Sequence, residues 1–452
     1  MKKQQCDVVV IGSGVGGLCA GALLADNGYS VVLVERLSLP GGRCSTKWVK
    51  GYRLDTGVQM LGPRGPLADI CQQVGAKLEL KFPRTLFSGV RVKGQDHAAK
   101  GDGPEAWMEL ITECEENPDR IMMAIGRAVA WQGPPDNMTI EEWFRQYTHE
   151  VETLARLQSF IAGTIGTNAN ECSAAELFRV FGMSGQALPS EPSGPIAGIP
   201  VNGALKPMQE LMQAITDRGG QAWLNSPVRR IKVSDGSAKG VIVERPEGMT
   251  ELSAHAVVSC IPPRLIVAMA GIENFDTGYL RRVSEDTVER STSITHIYIG
   301  SDRPLLEQEG LVLTARTRRL FQLYSPTNTL PEIAPPGKHV TIAAGMPRPC
   351  IEPISPKREL ELNILDIREN LPGFDEYGEI LMAPTYHRDW PLFGTWPGRG
   401  LPQRTPVVNL YIVGDRALPP GQVAVEGCAR TAQIVAEDIV NRFKPGETAP
   451  IL

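Results

Sequence analysis

Residues 7–35 read DVVVIGSGVGGLCAGALLADNGYSVVLVE, and this stretch constrains the fold more than any other part of the chain. Val8 to Ile11 form an apolar run. It enters a glycine turn with Gly12, Gly14 and Gly17 in G-x-G-x-x-G spacing. An alanine- and leucine-rich segment follows and ends near Gly28; a second apolar run, Val31 to Val34, ends in Glu35. The order is strand, phosphate turn, helix, strand and ribose acid, the pattern of a dinucleotide-binding unit. Gly12 permits the tight turn, Gly14 lets backbone approach a pyrophosphate, and Gly17 lets helix and strand pack closely. The helix N-terminus offers unpaired N–H groups and partial positive charge to the anion. Glu35 suits both ribose hydroxyls, and its charge disfavours a 2′-phosphate. The uncharged run Val8 to Ala25 reaches the lower limit for a membrane span, about 18 residues. Its five glycines and period-two start argue against a span.

The loop after Glu35 narrows the dinucleotide. Pro40, Gly41, Gly42 and Arg43 fall close together. A nicotinamide dehydrogenase has no need of a second glycine pair and an arginine there, whereas a flavin's isoalloxazine end must be reached by backbone. Arg43 suits a phosphate or the flavin's polar edge. On these residues the chain resembles the FAD-dependent amine oxidase and phytoene desaturase superfamily. In that family GGR follows the ribose acid, and a D-x-G stretch, here Asp55-Thr56-Gly57, lines the flavin. The stretch NLYIVGDRALPPGQVAVEGCARTAQIVAEDIV, residues 409–440, resembles the family's closing FAD motif. VNGALKPMQELMQAITDRGGQAWLNSPVRRIKV, residues 201–233, resembles its middle segment: a helix with Pro207 near its start and Gly219 past its end, then a strand that passes the adenine. HAVVSCIPP, residues 255–263, resembles the strand that returns under the cofactor.

The resemblance implies FAD as cofactor. It places the contacts at Gly12, Gly14, Val15, Gly16, Gly17, Glu35 and Arg36 in the first motif, and at Gly42, Arg43, Gly57, Val58, Gln59 and Met60 after it. Val228 would meet the adenine through its backbone. Gly414 and Asp415 would meet the ribityl or pyrophosphate region. The backbone N–H groups of Val423, Ala424 and Val425 would face the flavin's pyrimidine edge from a helix N-terminus. The implied fold is α/β: an FAD-binding Rossmann-like domain of glutathione-reductase type over residues 1–86, 198–270 and 386–452. A discontinuous α+β substrate domain would occupy 87–197 and 271–385.

Within the substrate segments, Glu105 to Gly185 reads as mostly helical. Thr139 with Glu142 and Ser173 with Glu176 have capping-box spacing. Ala187 to Pro200 is a Pro/Gly/Ser return to the FAD domain. SITHIYIG, GLVLT, LFQLYS and HVTIAAGM, between Ser293 and Met346, read as an antiparallel sheet with a helix near Lys357 to Asn370 packed on it.

Composition is that of a globular enzyme, 42% hydrophobic and 21% charged over 452 residues. The net charge of −5 argues against nucleic acid. Nine scattered cysteines without a C-x-x-C pair read as free thiols in a reducing compartment, and no metal site is expected. Cys428 reads as a small buried residue rather than a covalent flavin link. The first strand is expected to begin within six residues, so no signal peptide is expected and the sequon Asn137-Met138-Thr139 is not expected to be used. A cytoplasmic protein with at most weak membrane-surface contact is expected. Residues Trp107 to Val129 are the candidate surface, although the glutamates around them favour a helix packed on the substrate domain.

For chemistry, the resemblance implies hydride removal from a carbon over the flavin. Ala424 stands where amine oxidases carry an aromatic wall, with Trp390 or Pro391 opposite. HVTIAAGM lacks the lysine expected of that branch. Both departures lower the amine oxidase reading, and the PPG turn, Pro419 to Gly421, with VAVEG resembles the desaturase-like branch, which implies oxidation or isomerisation of C–C bonds in an apolar, terpenoid-type substrate. An amine or amino-acid oxidase is the alternative, and a flavin-free binding protein like the Rab GDP-dissociation inhibitors is a third. His387 and Asp389 are the acid/base candidates. Arg316, Arg318 and Arg319 could receive a carboxylate or phosphate, or form a solvated strand edge. No second dinucleotide motif appears, so a diffusible acceptor, oxygen or a quinone, is expected to reoxidise the flavin.

Overall fold

In the computed structural model, which describes residues 1–101, 104–130, 136–184, 195–286 and 291–447, the first strand runs Lys2–Ile11 and the first helix Val15–Asp26. The strand pairs in parallel with Val31–Val34 on one side and with Gly248–Ser259 on the other. Gln221–Trp223 and Leu410–Ile412 extend this parallel core, and the antiparallel strands Val228–Ser234 and Ser237–Arg245 complete a seven-stranded sheet. Successive side chains of the first strand point to opposite faces. Val8 and Val10 pack with Leu18, Leu211 and Val435 from the helices Val15–Asp26, Leu205–Asp217 and Ala424–Arg442. Val9 and Ile11 pack on the other face with Ile266, Phe275 and Tyr279. Helices on both faces of a mostly parallel sheet give the α/β class its two-sided core.

A second, eight-stranded sheet has the order Glu379–Met382, Ile294–Ser301, His339–Gly345, Leu320–Tyr324, Leu311–Ala315, Phe87–Val92, Gln95–Ala98. The four strands read from sequence pair antiparallel. Phe87–Val92 was not anticipated; it joins in parallel to Leu311–Ala315. The strand Thr385–Tyr386, at the expected domain boundary, pairs with Ile294–Ser301. The helices Val151–Thr164 and Ala174–Ser184 pack on one face through Leu157, Phe160 and Phe178 against Leu313 and Ala315. Helix Pro356–Asn370 packs on the other, with Ile367 against Val312 and Leu323.

Several local expectations meet a different outcome. The Thr139–Glu142 capping box forms, at the start of the short helix Ile140–Phe144. The Ser173–Glu176 box does not: Ser173 Oγ has no partner among the described residues, and Glu176 instead accepts from Gly421 N at 2.7 Å. The arginine run receives protein carboxylates rather than a free edge, since Arg318 pairs with Asp366 and Glu369 and Arg319 with Glu359. The 107–129 region forms two helices, Pro104–Thr112 and Pro118–Ala130, whose Ile111 and Ile121 are buried in the core beneath the second sheet. Among the described residues no helix is long and apolar enough to cross a membrane. Of the Ala187–Pro200 return, residues 187–194 lie outside the described residues; Ile199–Pro200 pairs with Leu80–Lys81.

Candidate active site

The dinucleotide turn is built from backbone. Gly12 N donates to Val34 O at 2.8 Å, and Gly14 caps the first helix. Gly12 has φ +91, a conformation that only glycine adopts without cost. Gly41 N donates to Ser13 O at 2.7 Å, which lays the Leu37-to-Gly42 loop along the turn. Glu35 is buried at the end of the second strand. One of its oxygens accepts from Ser13 N and Ser13 Oγ, both at 2.8 Å, and the other accepts from Leu37 N at 2.8 Å. A carboxylate can accept about four hydrogen bonds, so capacity remains for a ribose. Ser226 N donates to the Glu35 carbonyl, which brings the Ser226-to-Arg229 segment beside it.

These elements open onto one cavity of about 830 Å³. All the cofactor residues named from the sequence line it except Gly17, Val423 and, from the D-x-G stretch, Asp55 and Thr56; Asp55 instead accepts from Thr46 Oγ1 and Ala204 N. Gly17 acts by packing: a Cβ there would stand 2.1 Å from Gly12 O and 3.1 Å from Cys260 Cβ. Val423 caps the helix Ala424–Arg442 and packs toward the helices beneath the second sheet. A Cβ on Gly16 would meet Gly414 N at 2.6 Å, so the first turn and the C-terminal motif meet as bare backbone. A cradle of this kind, with a helix N-terminus and a buried ribose acid beside it, fits an adenine dinucleotide.

Arg43 is tied to protein. Its Nη1 donates to the carbonyls of Pro391 and Leu392, both at 3.0 Å, and its Nη2 meets Asp415 at 2.6 Å. Burial pushes the Asp415 carboxyl up, but the Arg43 and Arg416 guanidinium groups outweigh this and hold it below the usual range. Ala424 has φ +54, a left-handed backbone unusual for alanine, at the point where its helix begins on the cavity wall. Beside it Glu426 also faces the cavity. One of its oxygens accepts from Leu67 N at 3.0 Å and the other has no partner among the described residues. Burial pushes its carboxyl up to about 7.

The far wall comes from the second sheet and the helix Val151–Thr164. Ala162, Ile294, His296, Phe321, Gln322 and Ala344 face the cavity there. Tyr386 joins them, and its hydroxyl accepts from Gly57 N at 3.0 Å. The two acid/base candidates separate. Asp389 lines the cavity and is ion-paired with Arg264. His387 is not among the lining residues; its Nδ1 lies 2.7 Å from Glu352. His296, Gln322 and Glu426 were missed from sequence. Glu426 carried a signal, its place beside Ala424 in the closing motif.

A glycine-walled cradle against a parallel sheet, continued into a chamber under a second sheet, defines a flavoprotein oxidoreductase. The sequence from residue 15 to residue 440 matches the family described as flavin containing amine oxidoreductase, and the chain belongs to that family. It is 21% identical over 465 residues to the 15-cis-phytoene desaturase of Capsicum annuum, covering 97% of this chain and 78% of that protein. It is 28% identical over 277 residues to amine oxidase [flavin-containing] B of Homo sapiens, covering 58% of this chain and 51% of that one. The crystal structure of an oxidoreductase from Methanosarcina mazei superposes with a TM-score of 0.82 at 25% identity, covering 96% of this chain and all of that one. The protein is an FAD-dependent oxidoreductase, and the Rab-inhibitor-like alternative is set aside.

Proposed function

We propose that the enzyme is desaturase-like and performs two-electron oxidation, or isomerisation, of C–C bonds in an apolar, terpenoid-type substrate. The observation that carries this reading is the far wall of the cavity. Ala162, Ile294, Phe321 and Ala344 make it largely apolar, its two polar side chains His296 and Gln322 are uncharged at neutral pH, and among the described residues of that wall there is no carboxylate. The acids elsewhere on the cavity are engaged: Glu35 by Ser13 and Leu37, Asp389 by Arg264, Asp415 by Arg43. Glu426 is held largely neutral by burial below about pH 7. An ammonium group buried there without a counter-charge is strongly disfavoured.

FAD supplies the two-electron acceptor. The glycine turns, Glu35 and the backbone at Ala424 and Val425 would hold it. The apolar side chains orient the substrate and exclude water. The reduced cofactor would return its electrons to oxygen or a quinone. The free thiols of all nine cysteines fit a cytoplasmic site of action, with at most weak contact with a membrane surface. A second reading, an amine or amino-acid oxidase, draws on Tyr386 and Phe393, two aromatic rings on the same cavity.

Product analysis separates the two. Incubation of the FAD-loaded enzyme with isoprenoids and a quinone should give products lacking two hydrogens, or double-bond isomers. Aldehyde and ammonia from amines, with isoprenoids untouched, would replace this reading with the second.

A further inference from the structure

One row of the second sheet crosses three adjacent strands at the cavity. His296 pairs with Ala344, and Ala344 pairs on its other side with Gln322. Neighbouring strands lie about 4.8 Å apart, so the His296 and Gln322 backbones stand roughly 10 Å apart. All three residues face the cavity, with only the Ala344 methyl between the two polar side chains. His296 is 6% exposed, packed edge-on against Tyr298 and Tyr386. Its Nδ1 has no hydrogen-bond partner among the described residues, and burial lowers the imidazole to about 4, so the ring is neutral at physiological pH. No described residue hydrogen-bonds the Gln322 amide either; its oxygen lies beside Gly163. A neutral imidazole and a carboxamide each offer both a donor and an acceptor, and neither offers charge.

We infer that His296 and Gln322 hold the one neutral oxygen group, a hydroxyl or carbonyl, of an otherwise apolar substrate. The inference rests on the desaturase-like reading and narrows its substrate class from hydrocarbons to oxygenated terpenoids. A hydroxyl bridges a donor and an acceptor, and a carbonyl takes a donor. A hydrocarbon leaves both side chains unsatisfied in a desolvated chamber.

The test uses the FAD-loaded protein and four ligands on one skeleton: farnesene, farnesol, farnesal and farnesylamine. Affinity is read from the perturbation of the flavin spectrum and from calorimetry. Farnesol or farnesal should bind about ten- to a hundredfold more tightly than farnesene. His296→Leu and Gln322→Leu should each bring that ratio toward one, whereas His296→Asn should retain part of it. FAD content and thermal midpoint verify that each variant is folded; if a leucine variant fails to fold, the wild-type ratio and the other variant decide. Equal binding of farnesene and farnesol, an undiminished ratio in both leucine variants, or no binding of any of the four would overturn the inference. Farnesene reducing the flavin as well as farnesol does, with equal affinity, sinks this inference alone. Tightest binding by farnesylamine with flavin reduction sinks the desaturase-like reading beneath it.

Discussion

Arg43 and Asp415 meet at 2.6 Å on the cavity wall, and this pair joins the loop after the second strand to a motif 372 residues later in the chain. The same arginine holds the carbonyls of Pro391 and Leu392, and the same carboxylate accepts from Gly394 N. Three segments of the chain are thereby fixed around the cofactor cradle.

Removing one partner of this pair should therefore be costly. Asp415→Asn leaves the guanidinium uncompensated and should destabilise the protein by about 3 kcal/mol, with loss of bound FAD. The Asp415 carboxyl sits below its ordinary value of 3.8. Its contribution is present above that value and lost as pH falls through the lower folded-state value. Acid unfolding followed by circular dichroism should show a shallower acid limb in Asp415→Asn than in wild type. An identical limb in both would contradict the pairing.

Glu35→Gln tests the ribose acid. The substitution keeps the volume but weakens the acceptor, and it perturbs the bonds from Ser13 and Leu37. FAD affinity should fall by about 1.5–3 kcal/mol, the range of a charge-assisted hydrogen-bond set. Cofactor content after dilution and gel filtration reads this directly; full retention would place the ribose elsewhere.

Glu426 makes a pH prediction of opposite sign. Burial raises its carboxyl from 4.5 to about 7, so the folded state favours the protonated form. Its stabilising contribution is complete below pH 4.5 and is lost as pH rises through about 7. In cofactor-free protein, the thermal midpoint of Glu426→Gln minus that of wild type should grow across that window and level off above it. A difference independent of pH would show that the carboxyl titrates normally.

Ala424 combines strain and specificity. With φ +54 its backbone favours glycine, so Ala424→Gly should be neutral or stabilising by up to about 1 kcal/mol. Ala424→Tyr keeps the backbone contact but fills the chamber, and should lower turnover of a bulky substrate while FAD content stays near wild type. Unchanged turnover would place Ala424 off the substrate path.

The cofactor side of the site was legible because its chemistry is local. Gly12 through Glu35 carry turn, helix and acid in one continuous stretch, and Arg43 follows within a loop. The opposite wall was not. Every residue of Ile294–Ser301 is buried, so no polar alternation marks which face His296 occupies. Its juxtaposition with Gln322 depends on strand register through Ala344, which is set by long-range pairing. Phe87–Val92 was missed for the same reason, because its partner lies more than 200 residues away at Leu311–Ala315. Ser173–Glu176 misled because spacing alone allows a capping box; a stronger tertiary acceptor role toward Gly421 N won.

The most direct test of the account is anaerobic mixing of the FAD-loaded enzyme with an oxygenated isoprenoid and, separately, with primary amines, following the flavin's visible absorbance. The account predicts that an isoprenoid that is oxidised bleaches the flavin, that one that is isomerised is converted with the flavin still yellow, and that amines leave it yellow. Bleaching by amines alone would contradict the proposed substrate class.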